Sequence, residues 1–176
     1  MTSDLRYPIG PFQPPAQPAA ARAANIRRLA RIPAALRLAV ADLDDAQLNT
    51  PYRPAGWTVR QLVHHVADSH VNFYMRLKLA LTEVNPTIRP YEEQLWAELA
   101  DVATTPIATS LAILDGVHER ADRVLRQLDD AAFGRTYVHP ASGQHTLDYL
   151  VAMYAWHGEH HVAHVTSLRA RSGWAS

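Results

Sequence analysis

LDYLVAMYAWHGEHHVAHVTSLRARSG, residues 147–173, carries the clearest structural signal in the chain. Leu147, Leu150, Val151, Tyr154, Val165 and Leu168 recur at three- and four-residue steps and at sums of them, the spacing of one helix face. Thr146 precedes the run as a candidate N-cap and Gly173 follows it as a stop, so a helix is predicted from Leu147 to about Arg171. The gap in the apolar stripe is filled by His157, Gly158 and His161. Two imidazoles one turn apart thus project from a core-facing stripe, close enough to share one metal ion. His160 and His164 have the same spacing but fall about 60–100° round the helix, at its edge or in solvent.

Three more amphipathic segments precede this one. Ala20 to about Ala41 places Ile26, Leu29, Ile32, Leu36 and Val40 on one face, with Pro33 expected to kink it or to begin a second piece. Thr58 is a candidate N-cap for a helix reaching about Glu83, with a stripe of Val59, Leu62, Val63, Val66, Phe73, Leu77 and Leu81. Pro106 to about Leu128 carries Ile107, Leu111, Leu114, Val117, Ala121, Val124 and Leu128. Tyr91 to about Ala100 reads as a short helical crossing, and residues 129–143 as a connector containing a short hairpin. Residues 1–19 hold Pro8, Pro11, Pro14, Pro15 and Pro18, which favour an extended arm; Leu5, Tyr7, Ile9 and Phe12 alternate along it as if one side were buried. The predicted architecture is all-α: a single domain over 1–176, a four-helix bundle with an extended proline-rich arm.

Composition removes other classes. There is no cysteine, which excludes a disulfide scaffold, a thiol nucleophile and a cysteine zinc site. Seventeen basic residues balance seventeen acidic ones, leaving no broad basic surface for nucleic acid or an anionic membrane. No signal sequence and no membrane span is legible, so a soluble cytoplasmic protein is expected. Strand alternation between helices, GxGxxG and GxxxxGK[ST] are all absent.

Seven of the ten histidines fall in two windows, HHVADSH (His64, His65, His70) and HGEHHVAH (His157, His160, His161, His164). Burying two unpartnered imidazoles costs on the order of 1–3 kcal/mol each, and a metal offsets that cost. A third ligand must come from another helix, and the first window is the obvious source. Periodicity there selects His70, puts His65 at the edge of the apolar face and His64 on the far side. Three neutral histidines with an open position suit zinc or nickel, with water as the potential nucleophile. HExxH is absent, which argues against a zincin protease.

GWTVRQLVHHVADSHVNFYMRLKLALTE (56–83), IRPYEEQLW (88–96), YAWHGEHHVAHV (154–165) and the arm YPIGPFQPP (7–15), in this order, resemble the YfiT branch of the DinB-like helical bundles. The resemblance covers nearly the whole chain. It implies a four-helix bundle, commonly a homodimer, that binds one divalent metal through three histidines, here His65, His157 and His161. It implies a metal-dependent hydrolase acting on a small molecule. Relatives in the same superfamily resemble S-transferases that use a low-molecular-weight thiol such as bacillithiol, which would supply the sulfur this chain lacks. A non-catalytic metal-binding stress-response module and a purely structural bundle are the remaining readings. Periodicity and resemblance agree on His157 and His161 and differ on the third ligand, His70 against His65.

Other residues carry weaker expectations. Asp68 and Glu159 are candidate acceptors for ligand N–H groups, with surface carboxylates as the plainer reading. Arg60, Arg76 and Arg89 could receive an anion, although helical arginines are usually solvated or ion-paired. Tyr91, Glu92, Glu93 and Trp96 match the family run without a role that spacing can assign. His118, His139 and His145 are isolated and read as surface or loop residues. Trp57, Trp96 and Trp174 serve either an interface or the core.

Overall fold

The structure, a computed structural model, describes residues 4–174. Four long helices, α1 (Pro18–Ala39), α3 (Val59–Thr82), α6 (Ile107–Leu125) and α8 (Leu147–Ser172), are joined through the short helices α2 (Asp45–Leu48), α4 (Glu93–Trp96), α5 (Ala100–Thr104) and α7 (Asp130–Phe133). A two-stranded antiparallel hairpin, β1 (Thr136–His139) and β2 (Gly143–Thr146), leads into α8. Tyr137 pairs with His145 across it, and Val138 also exchanges backbone hydrogen bonds with Pro86 and Ile88.

Local chemistry sets the boundaries. The Thr58 side chain accepts from the Gln61 N–H while Gln61 reaches back to the Thr58 N–H, a reciprocal capping box. Thr146 caps α8 through the Tyr149 N–H, and Gly173 ends it with φ +65°, a conformation open to glycine. No second helical piece begins at Pro33: α1 runs through it as one helix. Proline there removes one N–H and frees the Leu29 carbonyl, four residues earlier, from its helical donor.

α1 packs on α8 and α6, and α3 packs on α6 and α8, so α1 lies diagonally opposite α3 and α6 opposite α8. Sequential long helices α1 and α3 are therefore not neighbours, while the two histidine-bearing helices are. The core is contributed by Ile32 and Leu36 of α1, Leu62, Phe73 and Leu77 of α3, Leu114 and Leu125 of α6, and Leu147, Leu150 and Tyr154 of α8. Among the described residues no helix is long and apolar enough to cross a membrane.

The arm lies against α8, though less deeply than its alternation suggests. Phe12 meets Tyr149 edge-on at 5.5 Å, and the Trp156 indole N–H donates to the Gly10 carbonyl at 3.2 Å. Tyr7 and Ile9 stay 45% and 44% exposed, because turns at Asp4–Tyr7 and Tyr7–Gly10 break the extended period on which the expectation rested.

Gly158 sets the α1–α8 approach. A Cβ there would fall 2.3 Å from Ile32 Cδ1 and 2.7 Å from Cγ1, against a side chain only 1% exposed. Gly158→Ala is expected to lower stability by about 1–2 kcal/mol, since overpacking outweighs the gain in helix propensity of about 1 kcal/mol. Urea denaturation checks this, and Ile32→Ala should recover part of the loss if the clash is the cause.

Candidate metal centre

The α3–α8 contact brings the two histidine windows together. His65 Nε2 lies 3.3 Å from His157 Nε2, which lies 3.2 Å from His161 Nε2. These three residues form a group whose ligand atoms all lie within 4.8 Å of one another. A tetrahedral metal with nitrogen ligands at 2.0–2.1 Å spaces those ligands about 3.3–3.4 Å apart, which the spacings from His157 to His65 and to His161 match. Hydrogen bonding alone satisfies the group poorly: His157 Nε2 faces two other Nε2 atoms but, with one proton or one lone pair, makes an ordinary hydrogen bond to only one of them.

Electrostatics favours the ligand form. Burial pulls His65 down to about pKa 4, and burial together with the neighbouring imidazoles pushes His157 and His161 well below the usual histidine value. All three are neutral at pH 7 and offer lone pairs. The His161 Nδ1 is buried without a hydrogen-bond partner.

His70, which periodicity selected, does not join the group. It is fully buried, and its Nε2 lies 3.4 Å from His157 Nδ1, on the side of the His157 ring away from the cluster. It contacts a candidate ligand and holds no place beside the three Nε2 atoms. His70 occupies the core position its spacing predicts, and His65, five residues earlier on α3 and also buried, is the residue that joins the α8 pair.

Several other histidines are more buried than expected. His64 is 5% exposed, with Nδ1 2.7 Å from Ser110 Oγ on α6. His160 and His164, expected at the edge, are buried with Nε2 atoms 3.0 Å apart, because the Tyr7 arm and the loop bearing Tyr52 cover that side of α8. His118 is no surface residue: its Nε2 lies 2.8 Å from His70 Nδ1. The signal was present in the sequence, since Leu111, Leu114, His118, Ala121 and Leu125 are the buried stripe of α6 and Val117 lies beside it. His139 and His145 sit on the hairpin, His145 stacked on Tyr149 at 4.0 Å.

The weaker candidates separate. Glu159 pairs with Arg28 of α1, away from the cluster, and Arg60 bonds Asp45 and Asn49. Arg76 donates to the Tyr154 hydroxyl at 2.9 Å. Asp68, half-buried, has its pKa raised to about 6 by burial and by Asp101, and lines a groove with Arg76, Arg89 and Tyr91 rather than the histidine cleft. The YEEQLW run gains a role: Gln94 accepts from the Trp57 indole at 2.9 Å, and Trp57 packs on His65 at 4.5 Å. Trp96 packs at a tilt on Tyr91 and is 40% exposed, while Trp57 and Trp174 are partly buried against the core. The cluster opens into a cleft of about 430 Å³, lined also by Tyr7, Arg53, Trp57, Glu93 and Trp156.

A helical bundle with three facing imidazoles on two of its helices defines a class, and the comparisons give that class a family. The chain belongs to the DinB superfamily, whose model matches residues 28–165. It is 49% identical over 172 residues to a protein of Bacillus mycoides (strain KBAB4) named "Putative metal-dependent hydrolase", covering 97% of this chain and 99% of that one. A protein of the same name from Bacillus cereus (strain B4264) is 49% identical over 174 residues, covering 98% and 99%. The solved structure of YfiT from Bacillus subtilis, described as a probable metal-dependent hydrolase with an unusual four-helix bundle topology, is similar with a TM-score of 0.93 at 46% identity, covering 97% and 99%. The protein is YfiT-like.

Proposed function

We propose that this protein is a metal-dependent hydrolase of small molecules whose single divalent cation, zinc or nickel, is held by His65, His157 and His161. The observation that carries the reading is the neutral His157 Nε2 with the Nε2 atoms of His65 and His161 at 3.3 and 3.2 Å from it, all three rings lining one cleft. A bound divalent cation supplies Lewis acidity, enough to make water, or a small thiol, ionise near neutral pH.

The chain's own residues then bind and move protons. Trp57, held by Gln94, closes one side of His65 against solvent. Arg53 lines the cleft and stands near the Tyr52 ring, where its guanidinium can take an anionic substrate group. Glu93 is the one carboxylate among the cleft residues and is the proton acceptor in this reading. Glu93→Gln should lower kcat by roughly 10²–10⁴ and leave metal content unchanged.

Elemental analysis of tag-free protein tests the site. About one zinc or nickel per chain is expected, lost in His65→Ala and His161→Ala. A parallel screen of esters and amides, with and without a low-molecular-weight thiol plus an electrophile, separates hydrolysis from thiol transfer. No metal after reconstitution overturns the proposal, and turnover that depends on thiol moves the site to the transferase chemistry.

A further inference from the structure

His157 stands at the end of a line of buried rings. Its Nδ1 lies 3.4 Å from His70 Nε2, and His70 Nδ1 lies 2.8 Å from His118 Nε2. The His118 ring also makes a backbone hydrogen bond to Leu29 on α1. That carbonyl is available because Pro33, four residues on, has no N–H to give it.

We propose that the Leu29 carbonyl, His118 and His70 form a one-way hydrogen-bond chain that fixes His157 as its Nδ1–H tautomer, so that His157 always presents a bare Nε2 to the metal site. The direction follows from the terminus. A carbonyl only accepts, so the N–H of His118 is committed to Leu29. Burial holds His118 neutral at pH 7, with a pKa pulled down to about 4, so the ring has no second N–H. His118 Nε2 must then accept from His70 Nδ1–H, and neutral His70 must accept from His157 Nδ1–H. With the opposite polarity, His157 would carry its proton on Nε2, pointing at His65 and His161, and could not act as a ligand. His70 and His118 are therefore positioning residues, neither touching the metal site. The tautomer claim stands on the chain itself; its consequence for a metal rests on the reading of His157 as a ligand.

Long-range ¹H–¹⁵N correlation of the imidazoles in the metal-free wild-type protein reads the tautomer directly. His157 and His70 are expected with protonated Nδ1 and bare Nε2, and His118 with its proton on the nitrogen that does not face His70. A protonated Nε2 on His157 overturns the proposal. In His118→Phe the chain loses its terminus, so His157 should become a tautomer mixture and its zinc Kd, read by chelator competition, should rise about 10-fold, at the lower end of the usual outer-shell effect. His118→Gln, whose amide can both accept from His70 and donate to Leu29, should restore a single tautomer and most of the affinity. Unchanged tautomer and Kd in His118→Phe overturn the positioning role. The predicted tautomers in a protein that binds no zinc would leave the chain standing and sink only the ligand assignment.

Discussion

Without metal, the protein should lose its fold between about pH 6.5 and pH 4. The sign follows from the buried imidazoles. Burial depresses the folded-state pKa of His65 and His118 to about 4 and of His164 to about 3, against 6.5 for an ordinary histidine. Above pH 6.5 both states are neutral and nothing is lost. Below it the unfolded chain takes up protons that the folded chain refuses, so stability falls as pH falls, until the folded-state values are reached. Each such proton is worth about 1.4 kcal/mol per pH unit, so these three alone remove about 4 kcal/mol per unit across the window. His70, His157 and His161 shift in the same direction. Asp68 opposes them: with a folded-state pKa raised to about 6, it adds stability in acid and loses it as pH rises through 6, but it is one proton against several. A domain of ordinary stability, about 5–15 kcal/mol, does not survive that slope. Circular dichroism against pH checks it, and a flat signal down to pH 4 would show that the histidines are not held neutral.

Zinc should raise the melting temperature of the metal-depleted protein, and the rise should vanish in His157→Ala. A ligand that binds only the folded state adds about 2.7 kcal/mol at a hundredfold excess over Kd. For a chain of this size that is about 5–10 °C, at about 2–4 °C per kcal/mol. His157 is the most telling position because its Nε2 is the middle of the group, within 3.3 Å of both other nitrogens. Removing it leaves His65 and His161 without the ring that joins them. His70→Phe, in contrast, should keep a thermal shift with weaker affinity, because His70 contacts the back of His157 and not the cluster. Equal loss of the shift in the two variants would place His70 among the ligands. The pH and metal experiments are linked: burial keeps the ligand imidazoles neutral in the folded protein, with His65 at about 4 and His157 and His161 shifted the same way, so the zinc-dependent rise should persist between pH 7 and about 5.

Much of this was legible in one dimension. The four long helices, their caps at Thr58 and Thr146, the stop at Gly173 and the His157/His161 pair follow from periodicity and local hydrogen bonding, which act over a few residues. Boundaries were less secure: α1 continues through Pro33, and α6 ends at Leu125, short of the expected Leu128. His118 has the right spacing for the α6 stripe, but with no other histidine near it in sequence nothing local marks it as part of a cluster.

The amino-acid order alone determined the helical class, the lack of any thiol chemistry of its own, and the presence of an imidazole pair on a core face. The resemblance, not the wheel, pointed to His65. Only the tertiary structure decided which rings meet, because that depends on which helices are neighbours. α3 lies beside α8 and diagonal to α1, which seats His65 against His157 and His161 and leaves His70 behind them. The same packing buries His160 and His164 under an arm and a loop remote in sequence, and joins a proline on α1 to a histidine on α6 through one freed carbonyl. A helical period records which face of a segment avoids water; it carries no record of what that face will touch.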